Sequence, residues 1–376
     1  MESESMKIIY LCEYGSINGA EKSLLAMLRL LPKADFSSRV VVPPIGPFVA
    51  ELDQLGIQRL LWPTDFSGLT LVEKRRHLET ILCAHPVDLV HANSVSMGRL
   101  SGPVLQSQKI PGVSHLRDIL RLSRTAIDDL NRHERLFAVS QAVREFHIRQ
   151  GIEPTKCVTL YNGVNLQEFC PKTPTKFLHR ELGIPLQARL LGCIGQIGLR
   201  KGQDVLLDAL EPIFEPFNLH LLLIGERHSE KSEAVQFEKK LRDRATQKPL
   251  VGRVHFLGIR NDIPTLLPEL TLLVHPARQE PLGRVLLESL ACGVMAIATD
   301  VGGTSEILPR RSQLVLPNEP GTLRRKLMTI LENDALQQKI AVESRQIAES
   351  RFSDTGAVEQ LVQQYRTAFY KWQPEA

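Results

Sequence analysis

Hydrophobic positions along the chain form short, almost unbroken apolar runs, which alternate with longer stretches that repeat their apolar residues at helical spacing. In the first half, these runs predict strands at 7–12, 39–42, 87–91 and 135–139. After the first strand, Asn18 is predicted to cap a helix in which Glu21 occupies the third position. Short strands separated by helices are typical of a parallel, doubly wound sheet.

A turn and a proline-punctuated connector at 161–174 interrupt this alternation, which then starts afresh. The second half predicts buried parallel strands at 190–194, 220–224, 253–257, 271–275 and 295–299. A closing stretch at 354–372 has apolar residues at helical spacing, so we expect this helix to pack on another element. The pattern predicts an α/β fold with two doubly wound domains, 1–165 and 166–352, with a ligand-binding cleft between them, and a C-terminal segment, 353–376.

Composition places the chain among ordinary globular proteins and disfavours several functional classes. Of its 376 residues 43% are hydrophobic, and 46 Lys and Arg against 42 Asp and Glu leave a net charge of only +4, which disfavours nucleic-acid binding. The six cysteines lie far apart, which favours a reduced chain over a disulfide or zinc framework. The acidic N-terminus does not resemble a secretion signal, and no apolar stretch approaches a membrane span. We therefore expect a cytoplasmic protein, with a peripheral position on a membrane left open.

Glycine-rich loops follow the first predicted strand of each half, at 15–19 and 192–198. Neither has the Gly-x-Gly-x-x-Gly spacing of a dinucleotide site, and no Gly-Lys-Ser/Thr sequence occurs, which disfavours NAD binding and a P-loop. Exposed N–H groups at such loops still suit phosphate. For Gly15 and Gly19, a tight turn needing positive φ is an equal alternative. At 198–202, the cations of Arg200 and Lys201 favour phosphate.

The stretch EPLGRVLLESLACG carries the most chemical information. It follows a predicted strand, and its two glycines mark the start and the end of a short helix. The N–H groups of Leu282, Gly283 and Arg284 at the helix start would favour an anion. Glu280 before the helix and Glu288 two turns into it would suit two hydroxyl-bearing groups on either side of a diphosphate. A capping acid and an Arg284–Glu288 surface pair are the alternative interpretation.

From residue 7 to about 370, the sequence resembles the retaining glycosyltransferases of family 4, which have the GT-B architecture of two facing Rossmann-like domains. The resemblance implies that domain 1–165 binds the acceptor, that domain 166–352 binds the donor, and that the C-terminal helix of 353–376 crosses back to the N-terminal domain. The matching motifs follow the family's order along nearly the whole chain, and the last contains two glutamates eight residues apart. The motifs are NGAEKSLL, VDLVHANS, VSHLRD, LFAVSQAVREF, YNGVNLQEF, GQIGLRKGQDVLLDAL, LLIGE, VHFLGIRNDIPTLL and EPLGRVLLESLACGVMAIATDVGGTSEIL.

The resemblance implies how the second half would hold a nucleotide-sugar donor. Glu288 would bind the ribose, and Glu280 would bind hydroxyls of the donor sugar. The backbone of 282–284 would cradle sugar and diphosphate, and Lys201 would neutralise the diphosphate, which gains negative charge as it leaves. The implied donor site also includes Gly19, Gly225, Glu226, Gly258 and Arg260.

Gln196 departs from the family pattern, which usually has an arginine five residues before the lysine. Glutamine can donate a hydrogen bond but carries no charge. We expect either that Arg200 or Arg284 supplies the missing cation or that the diphosphate is held more weakly.

His115 matches the family's active-site histidine near the donor sugar, and His91 matches a second recurrent histidine at a strand end. Asp118 is interpreted either as an acceptor-side carboxylate or as a helix cap. Arg117 is the third residue assigned to the acceptor side. Together with Leu116, Leu120, Arg121, Arg124 and Ile127 it falls at helical spacing, which predicts either a basic lip for an anionic or lipid-linked acceptor or, as the favoured alternative, an ordinary solvated helix face.

The activity implied by the resemblance is transfer of a hexose or N-acetylhexosamine, with retention, from a UDP- or GDP-linked donor to a glycan, lipid-linked or small-molecule acceptor. No cofactor or metal is expected, since no Asp-x-Asp occurs in the chain and a helix start with basic side chains would replace the metal. A GT-B-like epimerase or phosphorylase and a non-catalytic nucleotide-sugar-binding relative are the alternatives. The sequence leaves the base, the sugar, the acceptor and the oligomeric state open.

Overall fold

The computed structural model describes residues 5–33, 35–308 and 310–372. These residues form two compact units, one comprising those up to Gly163 and those from Asp354 on, the other Val164–Ser353. The sequence-based boundaries lie at 165/166 and 352/353, and the outermost residues of the predicted segments, 1–4 and 373–376, lie outside the described residues.

The first unit is built on a parallel sheet. Its strands and first helices are β1 (Met6–Leu11), α1 (Gly19–Leu30), β2 (Phe36–Val42), α2 (Pro47–Gln54), β3 (Gln58–Leu61), α3 (Leu71–Ala84), β4 (Leu89–Ala92), α4 (Val95–Gln108), β5 (Gly112–Leu116), α5 (Arg124–Leu130), β6 (Arg135–Ala138), α6 (Gln141–Gln150) and β7 (Cys157–Thr159). The described strands are ordered β3-β2-β1-β4-β5-β6-β7. Because the chain winds outward in both directions from β1 and β4, the loops after these strands diverge and leave a crevice at their carboxyl ends.

The second unit repeats this plan. Its elements are α7 (Phe177–Leu182), β8 (Arg189–Ile194), α8 (Gln203–Leu210), β9 (Leu219–Ile224), α9 (Ser232–Ala245), β10 (Val254–Gly258), α10 (Ile263–Leu266), β11 (Leu272–His275), α11 (Arg284–Ala291), β12 (Ala296–Thr299), α12 (Thr304–Ile307), β13 (Leu314–Val315), α13 (Pro320–Leu331) and α14 (Asp334–Arg351). The described strands pair in parallel in the order β10-β9-β8-β11-β12-β13. The corresponding crevice therefore lies at the ends of β8 and β11.

Burial on both faces explains the continuous apolar runs of the strands. In β1, Ile8 and Tyr10 join a core with α1 and α2, whereas Ile9 and Leu11 join a second core with α3 and α4. Successive side chains of a strand point to opposite faces, so a strand covered on both sides must be apolar throughout. Both units are thus the doubly wound α/β layers that the alternation of strands and helices predicts.

The last helix, α15 (Asp354–Trp372), belongs to the first unit. Val358, Leu361, Tyr365 and Ala368 are buried at helical spacing and join the core that contains α1. The helix thereby brings a tyrosine from the end of the chain into the interior of the first sheet. Among the described residues, no helix combines the length and the apolar character that a membrane crossing requires.

Each predicted strand overlaps an observed one, but four observed strands were not predicted. β3 is a largely exposed strand at the sheet edge, and β7 and β13 have only three and two residues. β5 contains Ser114 and His115, whose polarity interrupts the apolar signal although both residues are buried. The apolar-run criterion therefore misses short, edge or polar-containing strands.

The helix predicted across Leu116, Leu120 and Ile127 is wrong. Leu116 ends β5, residues 117–123 form an irregular loop, and α5 begins only at Arg124 with Ser123 as its N-cap. Residues at 116, 117, 120 and 121 therefore share no helix face with those at 124 and 127, and both interpretations of the basic stripe lose their basis.

Candidate functional site

Two loops meet at the carboxyl edge of the second sheet, residues 195–202 after β8 and 276–283 after β11. At Gly202, whose φ is 69°, a Cβ would lie 2.1 Å from the carbonyl oxygen of Pro276. Only glycine combines this left-handed backbone with so close an approach. The turn Leu199–Lys201 just before it is a 3-10 turn, which brings its lysine alongside the second loop.

Arg278 fastens the two loops together. Its guanidinium donates to both carboxylate oxygens of Asp204, at 2.9 and 2.7 Å, and to the carbonyl oxygen of Leu199 at 2.7 Å. Its backbone N–H donates to the carbonyl of Arg200 at 2.8 Å, and the Arg200 guanidinium donates to the carbonyl of Gln279 at 3.1 Å. These bonds fix the position of one loop against the other.

Glu280 is the centre of a buried charged cluster at this edge. Only 7% of the residue is exposed, and its Oε2 accepts from Lys201 Nζ at 2.6 Å and from His275 Nε2 at 2.9 Å. His275 is the last residue of β11, so the sheet itself holds the imidazole under the carboxylate. The carboxylate thus has one cationic and one neutral donor.

The protonation states follow from burial and from these partners. Burial by itself raises the pKa of Glu280, but Lys201 and His275 outweigh it and lower the pKa well below its usual value. Burial lowers the pKa of His275, and Lys201 lowers it further. At neutral pH, the cluster therefore consists of a carboxylate, an ammonium group and a neutral imidazole that donates its Nε2 proton.

The helix that follows Glu280 begins at Arg284, with Gly283 as its N-cap at φ 100°. Leu282 and Gly283 are buried just before the helix, and Arg284 at its first position is half-buried. Arg284 and Glu288 form a 3.5 Å ion pair on one helix face, which is the pair expected from their spacing.

Three glycines bring the ends of β8, β9 and β10 together beside this crevice. The N–H of Gly225 donates to the carbonyl of Gly258 at 2.7 Å, and a Cβ at Gly225 would lie 2.2 Å from the carbonyl oxygen of Gly195. Glu226 is exposed at this lip, whereas Arg260 is engaged in ion pairs with Glu181 and Asp262. The Arg260 guanidinium is therefore committed to neighbouring carboxylates.

Gln196 lies in the loop after β8, half-buried, and its carbonyl accepts from the Gln203 amide at 2.9 Å. The same Gln203 side chain accepts from the N–H of Gly198 at 3.4 Å. Of the two arginines expected to compensate for Gln196, Arg200 is exposed with its guanidinium on the second loop, and Arg284 is on α11 beside Glu288.

In the first unit, His91 and His115 lie on the neighbouring strands β4 and β5, and both are buried. His91 Nε2 is 2.7 Å from His115 Nδ1, and His91 Nδ1 is 2.5 Å from the Tyr365 hydroxyl of α15. Burial, and after it the charge of Arg117, lowers the pKa of both histidines well below its usual value. Both ring nitrogens of His91 thus have protein partners. His115 has His91 as its partner and lines a small pocket with Ser23, Asn162 and Asp354.

Arg117 and Asp118 follow β5 directly. The Arg117 guanidinium donates to the carbonyl and side-chain oxygens of Asn93, at 3.1 and 2.9 Å, and to Asn162 Oδ1 at 3.2 Å, so it links the loops after β4, β5 and β7. Asp118 is exposed, and its carbonyl accepts from His147. The interpretation of Asp118 as a helix cap is wrong, because α5 is capped by Ser123.

The first glycine-rich loop follows β1 and leads into α1. The carboxylate of Glu21 accepts from the N–H of Asn18 at 3.0 Å, which confirms the predicted helix start. Neither Gly15 nor Gly19 has a positive φ. The interpretation of these glycines as turn residues that need positive φ is therefore wrong. A Cβ at Gly15 would instead lie 2.1 Å from the carbonyl oxygen of Ile45, so close packing requires glycine there.

The structure therefore collects the candidates into two groups, one at the crevice edge of each sheet. Sequence reasoning missed His275, Arg278 and Gln203 in the second unit and Tyr365 in the first. His275 offered one signal, since it is a polar residue at the end of an otherwise apolar strand just before the Glu280 loop. Arg278 and Tyr365 offered no such signal, because their partners Asp204 and His91 are 74 and 274 residues away, and Gln203 bonds backbone groups of the loop before it, which no motif marks.

Family models match both halves of the chain. A model described as Glycosyl transferases group 1 matches residues 174–347, and one described as Glycosyltransferase Family 4 matches residues 17–168. The first range contains the Lys201 and Glu280 loops, and the second contains His91 and His115. Each model thus contains the principal candidates of one group, whereas Tyr365 lies outside both ranges.

Curated relatives and solved structures agree with these matches. The lipopolysaccharide core biosynthesis mannosyltransferase LpsB of Rhizobium meliloti is 29% identical over 154 residues, which are 41% of this chain and 43% of that protein. A D-inositol 3-phosphate glycosyltransferase of Corynebacterium urealyticum is 27% identical over 214 residues, 54% of this chain and 50% of that protein. The chain spans about half the length of these curated relatives. The crystal structure of Anabaena HepE in complex with UDP and glucose matches with a TM-score of 0.85 at 26% identity. The match covers 96% of this chain and 100% of the HepE chain.

Proposed function

Because the chain belongs to the GT-B glycosyltransferases of the family 4 type, we propose that it transfers a hexose or N-acetylhexosamine, with retention, from a nucleoside-diphosphate sugar to a glycan, lipid-linked or small-molecule acceptor. The observation that carries this proposal is the buried Lys201–Glu280–His275 cluster at the crevice of the second sheet. UDP is the favoured nucleotide, since the HepE structure in complex with UDP-glucose resembles this chain with a TM-score of 0.84. A GDP-linked donor remains the alternative.

In this proposal, Lys201 binds the diphosphate and Glu280 binds hydroxyls of the donor sugar. The two side chains are joined at 2.6 Å, and phosphate and hydroxyl groups of the donor would replace this contact. Negative charge grows on the departing diphosphate, so a fixed ammonium group lowers the barrier as well as the dissociation constant. His275 keeps the Glu280 carboxylate oriented and ionised throughout.

The start of α11 supplies the second part of the proposed donor site. The backbone of Leu282, Gly283 and Arg284 would face the diphosphate at a helix N-terminus, where partial positive charge favours an anion. Glu288 would bind the ribose hydroxyls, and Arg284, 3.5 Å from Glu288 on the same helix face, would supply the cation that Gln196 lacks.

A screen of nucleotide sugars by thermal shift and by release of nucleoside diphosphate tests the proposal. We expect stabilisation by UDP or GDP and slow hydrolysis of one cognate sugar in the absence of acceptor. Conversion of the donor into its epimer without acceptor would indicate an epimerase, and stabilisation without turnover by any sugar and acceptor would indicate a binding protein.

Retention predicts that donor and product share one anomeric configuration. With an α-linked donor, we expect an α product. Proton NMR shows this either in the released sugar before mutarotation or in the glycosidic linkage of the transfer product. We also expect the same rate in excess EDTA as in added Mg²⁺, because helix and side-chain charges take the place of a metal. A β product, or loss of activity in EDTA that metal restores, would overturn the corresponding part of the proposal.

Replacing Arg278 with methionine tests whether the two loops must be fastened. The change removes the bonds to Asp204 and Leu199. We expect the dissociation constant of UDP to rise about tenfold, which corresponds to the middle of the range of interaction free energies between residues in contact. Arg244→Met is the matched control, since Arg244 pairs with two carboxylates of the same unit outside these loops. Equal UDP affinity in both variants, measured calorimetrically, would show that the clamp is dispensable.

A further inference from the structure

Four polar side chains lie in a row through the interior of the first unit, from Tyr10 through Tyr365 and His91 to His115. The separations are 3.4 Å between the two tyrosine hydroxyls, 2.5 Å from the Tyr365 hydroxyl to His91 Nδ1 and 2.7 Å from His91 Nε2 to His115 Nδ1. All four side chains are buried to 1% exposure or less. Buried polar atoms are hydrogen-bonded as a rule, so each short contact contains one proton.

Both imidazoles are neutral. Burial disfavours their charged forms, and the charged group that acts on both is the cation of Arg117, which disfavours protonation further. His133, which also acts on His91, is itself buried, and burial lowers its pKa to about 4. Each ring therefore carries one proton, on either Nδ1 or Nε2.

Two arrangements place one proton in each histidine contact. In the first, Tyr365 donates to His91 Nδ1, His91 donates from Nε2 to His115 Nδ1, and His115 carries its proton on Nε2. In the second, every donor is reversed, so the Tyr365 proton must find another acceptor. The hydroxyl of Tyr10 is the neighbour at hand, and its 3.4 Å separation is beyond the usual range of a hydroxyl–hydroxyl bond. The first arrangement satisfies every short contact.

We propose that Tyr365 is a positioning residue that, through His91, holds His115 as the Nε2–H tautomer, a hydrogen-bond donor and not a base. The consequence for chemistry rests on the proposed function: His115 lines the pocket beside Ser23 and Asn162 and would donate to an oxygen of the sugar or acceptor. The last helix of the chain thereby sets the chemical role of a residue on β5. A base for the acceptor hydroxyl must then come from elsewhere, such as the leaving phosphate.

Long-range proton–nitrogen NMR spectra of protein labelled with ¹⁵N-histidine test the tautomers directly. His91→Gln and His115→Gln identify the two sets of ring signals. We expect both residues to show the Nε2–H pattern at pH 7. An Nδ1–H pattern for His115, or fast exchange between tautomers, would overturn the assignment whatever reaction the protein catalyses.

Tyr365→Phe keeps the ring and removes only the hydroxyl. Tyr10→Phe makes the same change at a ring that also packs on His91, at a centroid distance of 5.2 Å, but whose hydroxyl is 3.4 Å from that of Tyr365. We expect Tyr365→Phe to lose the single tautomer at His115 and Tyr10→Phe to retain it. If both variants retain it, Tyr365 does not set the tautomer. Should Tyr365→Phe fail to fold, the wild-type spectrum still decides the direction of the bonds.

Hydrolysis of UDP-glucose, the probe donor, gives the functional readout. With Tyr365→Phe, we expect kcat to fall about tenfold while KM stays within about twofold, since the residues proposed to bind the diphosphate and the ribose lie on the other unit. If Tyr365→Phe changed the tautomer of His115 but left kcat unchanged, the tautomer of His115 would have no role in catalysis. Absence of turnover in the wild type with every nucleotide sugar would count against the proposed function and leave the spectra valid.

Discussion

Replacing Glu280 with glutamine is expected to lower kcat for sugar transfer or donor hydrolysis by about 10²–10³-fold while UDP binds within about twofold of its wild-type affinity. The glutamine keeps the shape and one acceptor oxygen, so Lys201 and His275 retain a partner. What is lost is the negative charge aimed at the sugar hydroxyls, whose bonds to a carboxylate are stronger than those to an amide. The nucleotide, which contacts Lys201 and α11 in our proposal, should hardly be affected.

Glu269→Gln is the matched control for this variant. Glu269 is 6% exposed, compared with 7% for Glu280, and it accepts from the Thr175 backbone and hydroxyl, away from the crevice loops. We expect this control to retain full activity. If Glu280→Gln weakened UDP binding as much as turnover, or if turnover were unaffected, Glu280 would have no specific role toward the sugar.

The crevice residues of the second unit were largely predictable, because local sequence encodes them. Gly283 and Gly293 mark the helix ends through their left-handed backbone, and the apolar run that ends at His275 locates the sheet edge. A carboxylate between the strand and the helix can only lie at that edge. The contact of Glu280 with Lys201 was not predictable, since it depends on how two loops 79 residues apart pack together.

The prediction of a helix face failed where it rested on residue spacing alone, without a capping residue or a strand end to bound the helix. Arg117, Leu120 and Arg124 have helical spacing by coincidence, because β5 runs to Leu116 and the next helix needs Ser123 as its cap. Tyr365 belongs to an amphipathic pattern that identifies it as a core residue. Its hydroxyl reaches His91, 274 residues away, only because α15 packs on the first sheet. Periodicity predicts which face is buried, whereas the polar partner inside depends on the tertiary fold.

Replacing Lys201 with methionine is expected to destabilise the protein by about 3 kcal/mol near pH 7, the low end for removal of one partner of a buried ion pair. Methionine fills much of the same volume, so packing is largely conserved. The carboxylate of Glu280 is left with His275 as its donor, and burial then raises its pKa instead of being outweighed. Donor turnover should fall as well, since the diphosphate loses its ammonium group.

The pH dependence identifies Glu280 as the origin of the lost stability. In the wild type, the folded pKa of Glu280 lies below its usual 4.5, so its contribution is present above pH 4.5 and is lost as the pH falls toward the folded value. In Lys201→Met the folded pKa lies above the unfolded one, so stability increases as the pH falls through it. The difference between the two proteins in urea unfolding should therefore be largest near pH 7.5 and shrink toward pH 5. Protonation of His275 acts in the same direction, because it restores a cationic partner.

The double variant Lys201→Met/Glu280→Gln separates the stability of this cluster from its activity. With no charge left to bury, we expect most of the lost free energy of unfolding to return, with a weak dependence on pH, whereas turnover stays low because neither the phosphate nor the sugar contact is rebuilt. Lys239→Met, a change of an exposed lysine of the same unit, should alter neither property. If the double variant were as unstable as Lys201→Met, the loss would come from packing at position 201. A double variant that regained turnover would mean that neither side chain acts on the donor and that their pairing serves stability alone.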